Sequence, residues 1–571
     1  MKRSISSLHR FAFGFAFLIL SSAFSISSRA QDIPRLEKKD GVFRLMRNGK
    51  PFLMLSGELH NSTSSTAKAL KPALKTARQM GMNSVIATVS WEQIEPKEGE
   101  FDFTEIDEIL RLAGETDMPL GLIWFAGYKN GESSYAPLWV KQNTKRFPRC
   151  RDAEGKNTTT LSPLCEATME ADAKAFAKLM AHLREADTKR LVSIVQVENE
   201  MGAFIDIDHS PFSLQLYEGK VPEEVVNYIQ KHEKTLSKRL GQQWSENGKK
   251  TKGNWKELFG DNDFTKQFFM AWAFARYADH VAEKGKKEYP LPMYVNCWLA
   301  DENAKLGSYP NSGPRVLTFD IYKAAAPHID LLAPDVYVSN LRGPFDAYTR
   351  PDNALFIPEV SRIAGPAYYA FGERNALCYA PFGFEECYDD PNLVGEYKVL
   401  GELLPSITEA QGTGKMHGFV RQEGIDQPDD SVSFQLGDYL FHVHYVKGEQ
   451  NAHGLAIQTA KDEFLVAGVG GYITFQSKKE GEVCKIAYAE EVEKGENGWE
   501  PVFVLNGDET AHHNMLYLRG RMPLPDYNKD GIEVDAPLYR PSYQRKDNPL
   551  WQNRYKVSGI YRIKLYTFPE K

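Results

Sequence analysis

Short apolar runs and amphipathic stretches alternate along the chain from about residue 50 to residue 400. Several runs are wholly apolar, as in parallel strands that are buried on both faces. The predicted strands are FLMLSG (52–57), SVIATVSW (84–91), LGLIWF (120–125), SIVQVEN (193–199), MYVNCW (293–298), LLAPDVY (331–337), ALFIPEV (354–360) and ALCYAPFGF (376–384). The stretches between them, such as EADAKAFAKLMAHLREA, repeat apolar residues every three or four positions and predict helices.

Eight successive strand-and-helix units predict an α/β fold, a closed (β/α)8 TIM barrel. In such a barrel the C-terminal ends of all strands meet at one rim, where catalytic residues lie. A long polar segment, 211–265, is predicted as an insertion between the fourth and fifth strands.

The pattern changes after about residue 400. Runs such as SVSFQLGDYLFHVHYV and VSGIYRIKLYTF alternate apolar and polar residues and are rich in Tyr, Phe and Val. They predict an all-β, sandwich-like domain. The predicted organisation is a signal peptide at 1–30, a catalytic barrel at 31–405 and a β-rich domain at 406–571.

The N-terminus has the pattern of a secretory signal peptide. Lys2, Arg3 and Arg10 flank or precede the apolar run FAFGFAFLIL, and the small residues Ser28 and Ala30 fit a cleavage site. The run is shorter than the roughly 20 residues of a membrane span, although an uncleaved anchor is the alternative. We therefore expect a periplasmic or secreted protein with no stable membrane insertion after cleavage.

Charge and cysteine content narrow the classes of partner. The formal net charge of the 571 residues is −7 and no long basic block occurs, which argues against a nucleic-acid partner. The six cysteines lack CxxC spacing, so we expect no metal and no cofactor. Cys150 with Cys165, and Cys378 with Cys387, are close enough in sequence to form disulfides, but free thiols are an equal alternative.

Two acidic positions stand at the ends of predicted strands. In LVSIVQVENEMG the two-residue period places Gln196, Glu198 and Glu200 on one face at the exit of the fourth strand. The simpler interpretation of an acidic residue at a strand end is a solvated loop residue. Clustered acidic residues, however, repel one another and lose solvation, which is unfavourable unless the cluster has a role. Glu359 ends the seventh strand, opposite the fourth across the barrel. Two converging carboxyl groups are what glycoside hydrolysis requires, about 5 to 5.5 Å apart in a retaining enzyme.

Aromatic residues also fall at or just beyond strand ends. Trp124, Tyr128, Trp298 and Tyr337 could stack on a sugar ring there. Packing in the hydrophobic core is the alternative for each of them.

The segment QVENEMG closely resembles the QVENEYG motif of glycoside hydrolase family 35, the β-galactosidases with clan A barrels. The resemblance implies that Glu200 is the acid/base, that Asn199 binds the sugar 2-hydroxyl and that Glu359, in FIPEVSR, is the nucleophile. LSGELHNS resembles the first-strand segment of the family and adds His60. WEQIEPKEGEFDF resembles a second block of the family. Together these similarities cover roughly residues 40–400.

The sequence departs from the family pattern at two places. Within the second strand, Thr88 of ATVSW takes the place of a Tyr that family members usually have before Val-Pro-Trp. In WFAGYKNGESSYAPLW, Asn130 takes the position of a sugar-binding Glu, so Lys129, Asn130 and Trp124 are the predicted substitutes. The chain thus resembles a divergent bacterial branch with an additional C-terminal β domain.

The predicted function is a retaining exo-β-glycosidase, foremost a β-galactosidase acting on carbohydrate. The alternatives are another clan A enzyme, cleaving β-glucosides, arabinosides or mannosides, and a non-catalytic glycan-binding barrel. Two further hypotheses concern single residues: Glu198 faces the same way as Glu200 and supports its neighbours, and Arg362 stabilises the charge of Glu359. The oligomeric state has no signal in the sequence.

Overall fold

The apolar runs before residue 420 fold into strands close to the predicted positions. The computed structural model describes residues 32–421, 430–446, 451–518 and 558–571, so the predicted signal peptide lies outside the described residues. In chain order the strands of this part are β1 (Arg35–Lys39), β2 (Val42–Arg47), β3 (Lys50–Pro51), β4 (Met54–Leu55), β5 (Val85–Ser90), β6 (Leu120–Lys129), β7 (Arg149–Arg151), β8 (Asn157–Leu161), β9 (Val192–Asn199), β10 (Met293–Trp298), β11 (Leu331–Val336), β12 (Phe356–Val360), β13 (Cys378–Pro381) and β14 (Met416–Val420).

Helices follow most barrel strands. They are α1 (Ala67–Met80), α2 (Trp91–Ile94), α3 (Thr104–Glu115), α4 (Leu138–Gln142), α5 (Glu166–Ala186), α6 (Pro211–Tyr217), α7 (Glu223–Lys231), α8 (Lys238–Glu246), α9 (Trp255–Phe259), α10 (Asp263–Glu288), α11 (Phe319–Ala325), α12 (Arg342–Tyr348), α13 (Pro366–Arg374) and α14 (Pro391–Ala410), with 3₁₀ turns at Thr63–Ser65 and Phe384–Cys387. The predicted insertion contains α6 to α9.

Eight parallel strands form the barrel, in the order β4-β13-β12-β11-β10-β9-β6-β5. The sheet closes on itself because the Ile86 amide donates to the Gly57 carbonyl (2.9 Å) and the Leu59 amide donates to the Ile86 carbonyl (3.0 Å). The TIM-barrel prediction is therefore confirmed. Because every strand runs the same way, Glu200 and Glu359 both emerge at the C-terminal rim.

Two hydrophobic cores hold the barrel together. Side chains including Ile123, Ile194, Tyr294 and Phe356 fill its interior, and Leu45 of the antiparallel β1–β3 sheet belongs to the same interior cluster. A larger core lies between the strands and the helices, where the long α5 and α10 pack on each other. Because side chains fill the barrel interior, the functional site is expected at the rim.

The C-terminal region is all-β, as predicted. Its strands after β14 are β15 (Ser431–Leu436), β16 (Tyr439–Tyr445), β17 (His453–Ala460), β18 (Glu463–Val469), β19 (Gly471–Ser477), β20 (Glu482–Gly495), β21 (Gly498–Leu505), β22 (Met515–Tyr517) and β23 (Ile560–Pro569). They form a six-stranded sheet, β14-β17-β18-β23-β20-β21, and a four-stranded sheet, β15-β16-β19-β22. Alternate residues of these strands, among them Phe441, Phe464 and Phe475, form one shared core.

The barrel and the β region meet along α13 and β14. A Cβ atom on Gly418 would lie 2.2 Å from the Tyr368 carbonyl oxygen, so only glycine permits this close approach. Asp32–Lys571 form one compact unit. The predicted boundary at 405/406 stays a prediction, and α14 runs across it to Ala410.

Among residues 32–421, 430–446, 451–518 and 558–571, no helix is long and apolar enough to cross a membrane. The same ranges contain no group of three metal-binding side chains. All six cysteines lie within them, and each has a free thiol rather than a disulfide.

Candidate active site

The end of β9 departs from regular strand geometry at the acid motif. Val192–Asn199 is buried throughout, but Glu198 and Glu200 have φ values of 62° and 44°. Left-handed backbone is uncommon at residues other than glycine and clusters at functional sites. The two-residue alternation therefore stops before Glu198, and the prediction that Glu198 and Glu200 share one face is wrong.

Glu198 turns away from the rim, toward the layer between the barrel wall and its helices. Its carboxylate accepts hydrogen bonds from the backbone amides of Gly127 (3.2 Å) and Tyr128 (2.7 Å). It also lies against Asp172 of α5, which accepts from Trp124 Nε1 and Tyr277 Oη, both at 2.8 Å. Burial raises the pKa of Glu198 well above its usual range, and the charge of Asp172 raises it further. Burial and the neighbouring Asp172 charge therefore both favour the protonated form of Glu198.

This pair fixes the path of β6. The register between β6 and β9 shifts between Trp124 and Lys129, and the Gly127 and Tyr128 amides that bind Glu198 lie in that shift. The detour brings Lys129 and Asn130 to the rim. The hypothesis that Glu198 supports its neighbours remains a prediction, but the support comes from behind the barrel wall.

Glu359 lies close enough to Glu200 for its charge to act on the pKa of Glu200. Burial raises the pKa of Glu200 to about 7, with a further contribution from the Glu359 charge, against the opposing effects of Lys129 and a hydrogen bond with Asp335. Burial also raises the pKa of Glu359, opposed by Tyr337 and Lys129. The Tyr337 hydroxyl donates to Glu359 Oε1 (2.5 Å).

The hypothesis that Arg362 stabilises Glu359 is corrected. The Arg362 guanidinium contacts the Glu386 carboxylate (2.7 Å) and donates to the Phe382 carbonyl (3.0 Å). Arg362 lies at the start of the loop after β12, and its side chain turns toward the loop after β13. Lys129 is the cation that acts on Glu359.

Amide side chains connect β6, β9 and β10 at the rim. Asn199 Nδ2 donates to Asn130 Oδ1 (3.2 Å), so two residues predicted to bind sugar are in contact. Asn199 Oδ1 accepts from Gln196 Nε2 (3.0 Å) and Asn296 Nδ2 (3.2 Å). Asn296 Oδ1 in turn accepts from the Glu200 amide (2.8 Å). The network fixes both the orientation of Asn199 and the position of the Glu200 backbone.

The predicted aromatic contacts divide into exposed and buried residues. Trp298 is 41% exposed and Tyr337 is 52% exposed. Trp298 pairs in register with Asp335, which pairs with Glu359, so these three residues form one row across β10, β11 and β12. Trp298 and Tyr337 can therefore meet a ligand beside the two glutamates.

Trp124 is fully buried (0% exposed) and packs on Phe176 of α5, with its indole N–H bound to Asp172. The prediction that it contacts sugar is wrong, because its side chain points out of the barrel into the helix layer. Tyr128 is also buried, among the aromatic rings of α10, and core packing is correct for both.

His60 lies at the edge of the rim, where its Nε2 contacts Glu386 (2.9 Å). It shares this carboxylate with Arg362. His60, on the loop that follows β4, thus lies in a polar cluster with Arg362 and Glu386.

Two buried carboxyl groups near the pair were not among the predicted site residues. Glu58 follows β4 and Asp335 is on β11, and burial raises the pKa of each well above its usual range, with further effects of Glu359 and Glu200. Asp335 occurs in LLAPDVY, an acid within an apolar strand, which is the same signal that identified Glu359. Asn296 in MYVNCW is likewise a polar residue, here a neutral amide, within an apolar strand.

Two interacting carboxyl groups at the mouth of a parallel barrel are an arrangement that suits glycoside hydrolysis. Comparison with known proteins agrees. Residues 44–298 match the family described as Glycosyl hydrolases family 35, which confirms the resemblance seen in LSGELHNS, WEQIEPKEGEFDF and QVENEMG and supports a glycoside hydrolase. The segment that contains Glu359 lies beyond the matched residues. Residues 393–516 match a separate family, described as Domain of unknown function (DUF5597).

One similar curated protein is a beta-galactosidase of Xanthomonas manihotis, 30% identical over 171 residues. The match covers 29% of this chain and 26% of that protein, so the chain spans about a quarter of the relative's length. Among solved structures, a beta-galactosidase from Bacillus circulans sp. alkalophilus has a TM-score of 0.42 at 15% identity, covering 63% of this chain and 57% of that one. The catalytic domain of a beta-amylase from Paenibacillus polymyxa has a TM-score of 0.40 at 13% identity, covering 57% and 90%.

Proposed function

We propose that this protein is an exported, retaining exo-β-galactosidase that removes terminal β-galactosyl groups from oligo- or polysaccharides. The observation that carries the proposal is the interacting pair Glu200 and Glu359, in which Glu200 has a pKa of about 7. A carboxyl group with that pKa is still protonated at mildly acidic to neutral pH, as a general acid must be.

The two glutamates would divide the reaction between them. Glu359 attacks the anomeric carbon as its carboxylate while Glu200 transfers its proton to the departing glycosidic oxygen. Glu200, now ionised, takes a proton from water, and that water displaces Glu359 from the glycosyl ester. Each step inverts the anomeric carbon, so the product keeps the β configuration.

The surrounding residues support distinct parts of this sequence. Tyr337 and Lys129 act on the pKa of Glu359 in the direction that favours the nucleophilic carboxylate. Asn199 is held by amide contacts on three sides, as is appropriate for a residue that orients the 2-hydroxyl. Trp298 presents an exposed indole in the same row as Glu359 and can stack on a sugar.

A panel of 4-nitrophenyl glycosides tests the proposal. We expect hydrolysis of the β-galactoside in preference to the β-glucoside, β-mannoside and α-arabinoside, and none by Glu359→Gln. Proton NMR of the first product should show β-galactose before mutarotation. Preference for another sugar would indicate a different clan A specificity, and binding without hydrolysis would indicate a glycan-binding barrel.

Export is a separate part of the proposal, supported by the N-terminal sequence pattern alone. Expression of the full chain in a bacterium with two membranes should give protein in the periplasm or medium whose N-terminus is Gln31. Mass spectrometry of the intact protein measures this. Material that retains residue 1 and stays with the membrane fraction would contradict cleavage.

A further inference from the structure

Asp335 is a third carboxyl group in the row that holds Glu359. It is on β11, its Cα pairs with that of Glu359 on β12, and its side chain is 1% exposed. Asn296 connects it to Glu200, since the Asn296 side chain donates to Asp335 Oδ2 (2.7 Å) and accepts from the Glu200 backbone amide (2.8 Å). Asp335 also acts on Glu200 in the direction that lowers the pKa of Glu200. Asp335 therefore acts on the proposed acid/base from within the barrel mouth, and no role has been assigned to it so far.

The partners of the two Asp335 oxygens differ. Oδ2 accepts a hydrogen bond from Asn296 Nδ2 (2.7 Å), whereas Oδ1 is buried and receives no hydrogen bond from the N–H and O–H donors of the described residues. A buried carboxylate oxygen without a donor is costly. A proton on Oδ1, donated in a hydrogen bond to the Glu200 carboxylate, removes that cost.

The contacts of Asn296 distinguish the two oxygens of Asp335. Its amide nitrogen donates to Asp335 Oδ2, and its Oδ1 accepts from the Glu200 backbone amide (2.8 Å). Asn296 therefore holds both the Asp335 carboxyl and the Glu200 backbone in fixed positions. Because Oδ2 accepts from Asn296, Oδ1 is the Asp335 oxygen that is left to carry a proton.

We propose that Asp335 is a positioning residue for the acid/base, a carboxyl group that keeps its proton and donates a hydrogen bond to the Glu200 carboxylate. The inference rests on the proposed function. As Glu200 gives its proton to the leaving oxygen, the Asp335 O–H stabilises the carboxylate that forms, and Asp335 itself exchanges no proton with the substrate. When Glu200 later deprotonates water, the same hydrogen bond persists.

The charged and titratable groups around Asp335 favour its neutral form. Burial raises its pKa well above its usual range, with further contributions from Glu359, Glu200, Cys297 and Glu58. Lys129 acts on Glu200, Glu359 and Glu58 and is not among the main influences on Asp335. Burial and these neighbouring negative charges thus act together in favour of the protonated form of Asp335.

The test compares Asp335→Asn and Asp335→Ala with wild type in the pH dependence of kcat/KM, whose alkaline limb reports the proton of Glu200. The asparagine variant keeps an N–H donor where Oδ1 lies, so we expect its limb within about 0.3 pH units of wild type. The alanine variant removes the donor, so the pKa of Glu200 rises and the limb moves to higher pH by about one unit. A limb that moves to lower pH in both variants would show that Asp335 is ionised, and would overturn the proposal.

A leaving-group comparison separates this role from a structural one. In Asp335→Ala we expect about a tenfold loss of kcat/KM for a methyl galactoside, which needs a proton, and less than about a twofold loss for a 2,4-dinitrophenyl galactoside, which does not. Equal losses for both substrates would overturn the proposal. If the wild-type protein hydrolyses no galactoside, the proposed function fails before this inference is tested. If Asp335→Ala does not fold, Asp335→Asn is used instead, and its ratio of kcat/KM for the two substrates is expected to equal that of wild type.

Discussion

Glu198 and Glu200 are two residues apart in the chain, yet they belong to opposite sides of the barrel wall. Glu198 lies behind the wall, bound by two backbone amides and next to Asp172 in a closed space. Glu200 lies at the rim, beside Glu359 and Asp335 and within reach of the Lys129 charge. Burial raises the pKa of both glutamates, but only Glu200 lies beside a second carboxyl group, that of Glu359, at the open rim of the barrel.

The difference shows what converts a buried acid into a catalytic one. Behind the wall, Glu198 and Asp172 are fully buried and out of reach of a substrate, so the pair can only hold backbone in place. At the rim, Lys129 and Asp335 offset part of the burial effect and bring the pKa of Glu200 to about 7. The left-handed backbone at both glutamates produces the separation.

Replacing the rim carboxyls should have the largest effect. Glu359→Gln removes the nucleophile and should lower kcat on 4-nitrophenyl β-galactoside by at least about 10⁴-fold, with a thermal midpoint within about 3 °C of wild type. Stopped assays at high enzyme concentration, with circular dichroism melting, measure both quantities. Added azide should restore turnover to Glu359→Ala with an α-galactosyl azide product; a β product would reverse the assignment of the two glutamates.

Replacing the carboxyl behind the wall should instead reduce stability. Glu198→Ala leaves the Gly127 and Tyr128 amides without an acceptor and Asp172 without its proton partner, which should cost about 3 kcal/mol or more in the free energy of unfolding. Urea denaturation measures this. Loss of activity at unchanged stability would contradict the comparison and place Glu198 in the chemistry.

The same pair predicts a pH dependence of stability. Because the folded-state pKa of Glu198 is raised, the folded protein binds more protons than the unfolded chain above about pH 4.3, so this contribution to stability falls as pH rises. The slope is at most about 1.4 kcal/mol per pH unit for one proton. Denaturation of wild type and Asp172→Asn between pH 5 and 8 should show a shallower decline in the variant; parallel slopes would mean that the pair holds no shared proton.

Two tryptophans extend the comparison to substrate binding. Trp298→Ala removes an exposed ring at the rim and should raise KM about tenfold with a smaller change in kcat, since a stacking face is worth about 0.5 to 1.5 kcal/mol. Trp124→Phe is the matched control, because Trp124 lies behind the wall; it should lower stability and leave KM unchanged. If KM rose in Trp124→Phe but not in Trp298→Ala, the result would support the sequence-based prediction that Trp124 contacts the sugar.

Periodicity and strand ends made the barrel and the acid pair predictable. Buried apolar strands alternating with amphipathic helices identify the fold, and Glu359 follows because strand order fixes which ends face each other. The direction of Glu198 was not predictable, since a period of two assumes regular strand backbone and both glutamates have positive φ. The prediction that Trp124 contacts the sugar was wrong for a related reason. A residue near a strand end can point into the helix layer as readily as into the mouth of the barrel.

The partner of Arg362 depends on a contact between loops, which spacing along the chain does not encode. Arg362 comes three residues after Glu359, but the carboxylate that it meets belongs to Glu386, after the next strand. Glu386 is more than half exposed, so solvent screens this ion pair.

Arg362→Gln should therefore have the smallest effect of the set. We expect the acidic limb of kcat/KM, which reports the ionisation of Glu359, to move by less than about 0.2 pH units, because Tyr337 and Lys129 rather than Arg362 oppose the effect of burial on Glu359. Tyr337→Phe is the comparison variant: without its hydrogen bond to Glu359, the pKa of Glu359 rises and the acidic limb moves to higher pH. If Arg362→Gln moved the limb as far as Tyr337→Phe does, the guanidinium would act on the nucleophile in solution, and the separation between the rim pair and the surface ion pair would not hold.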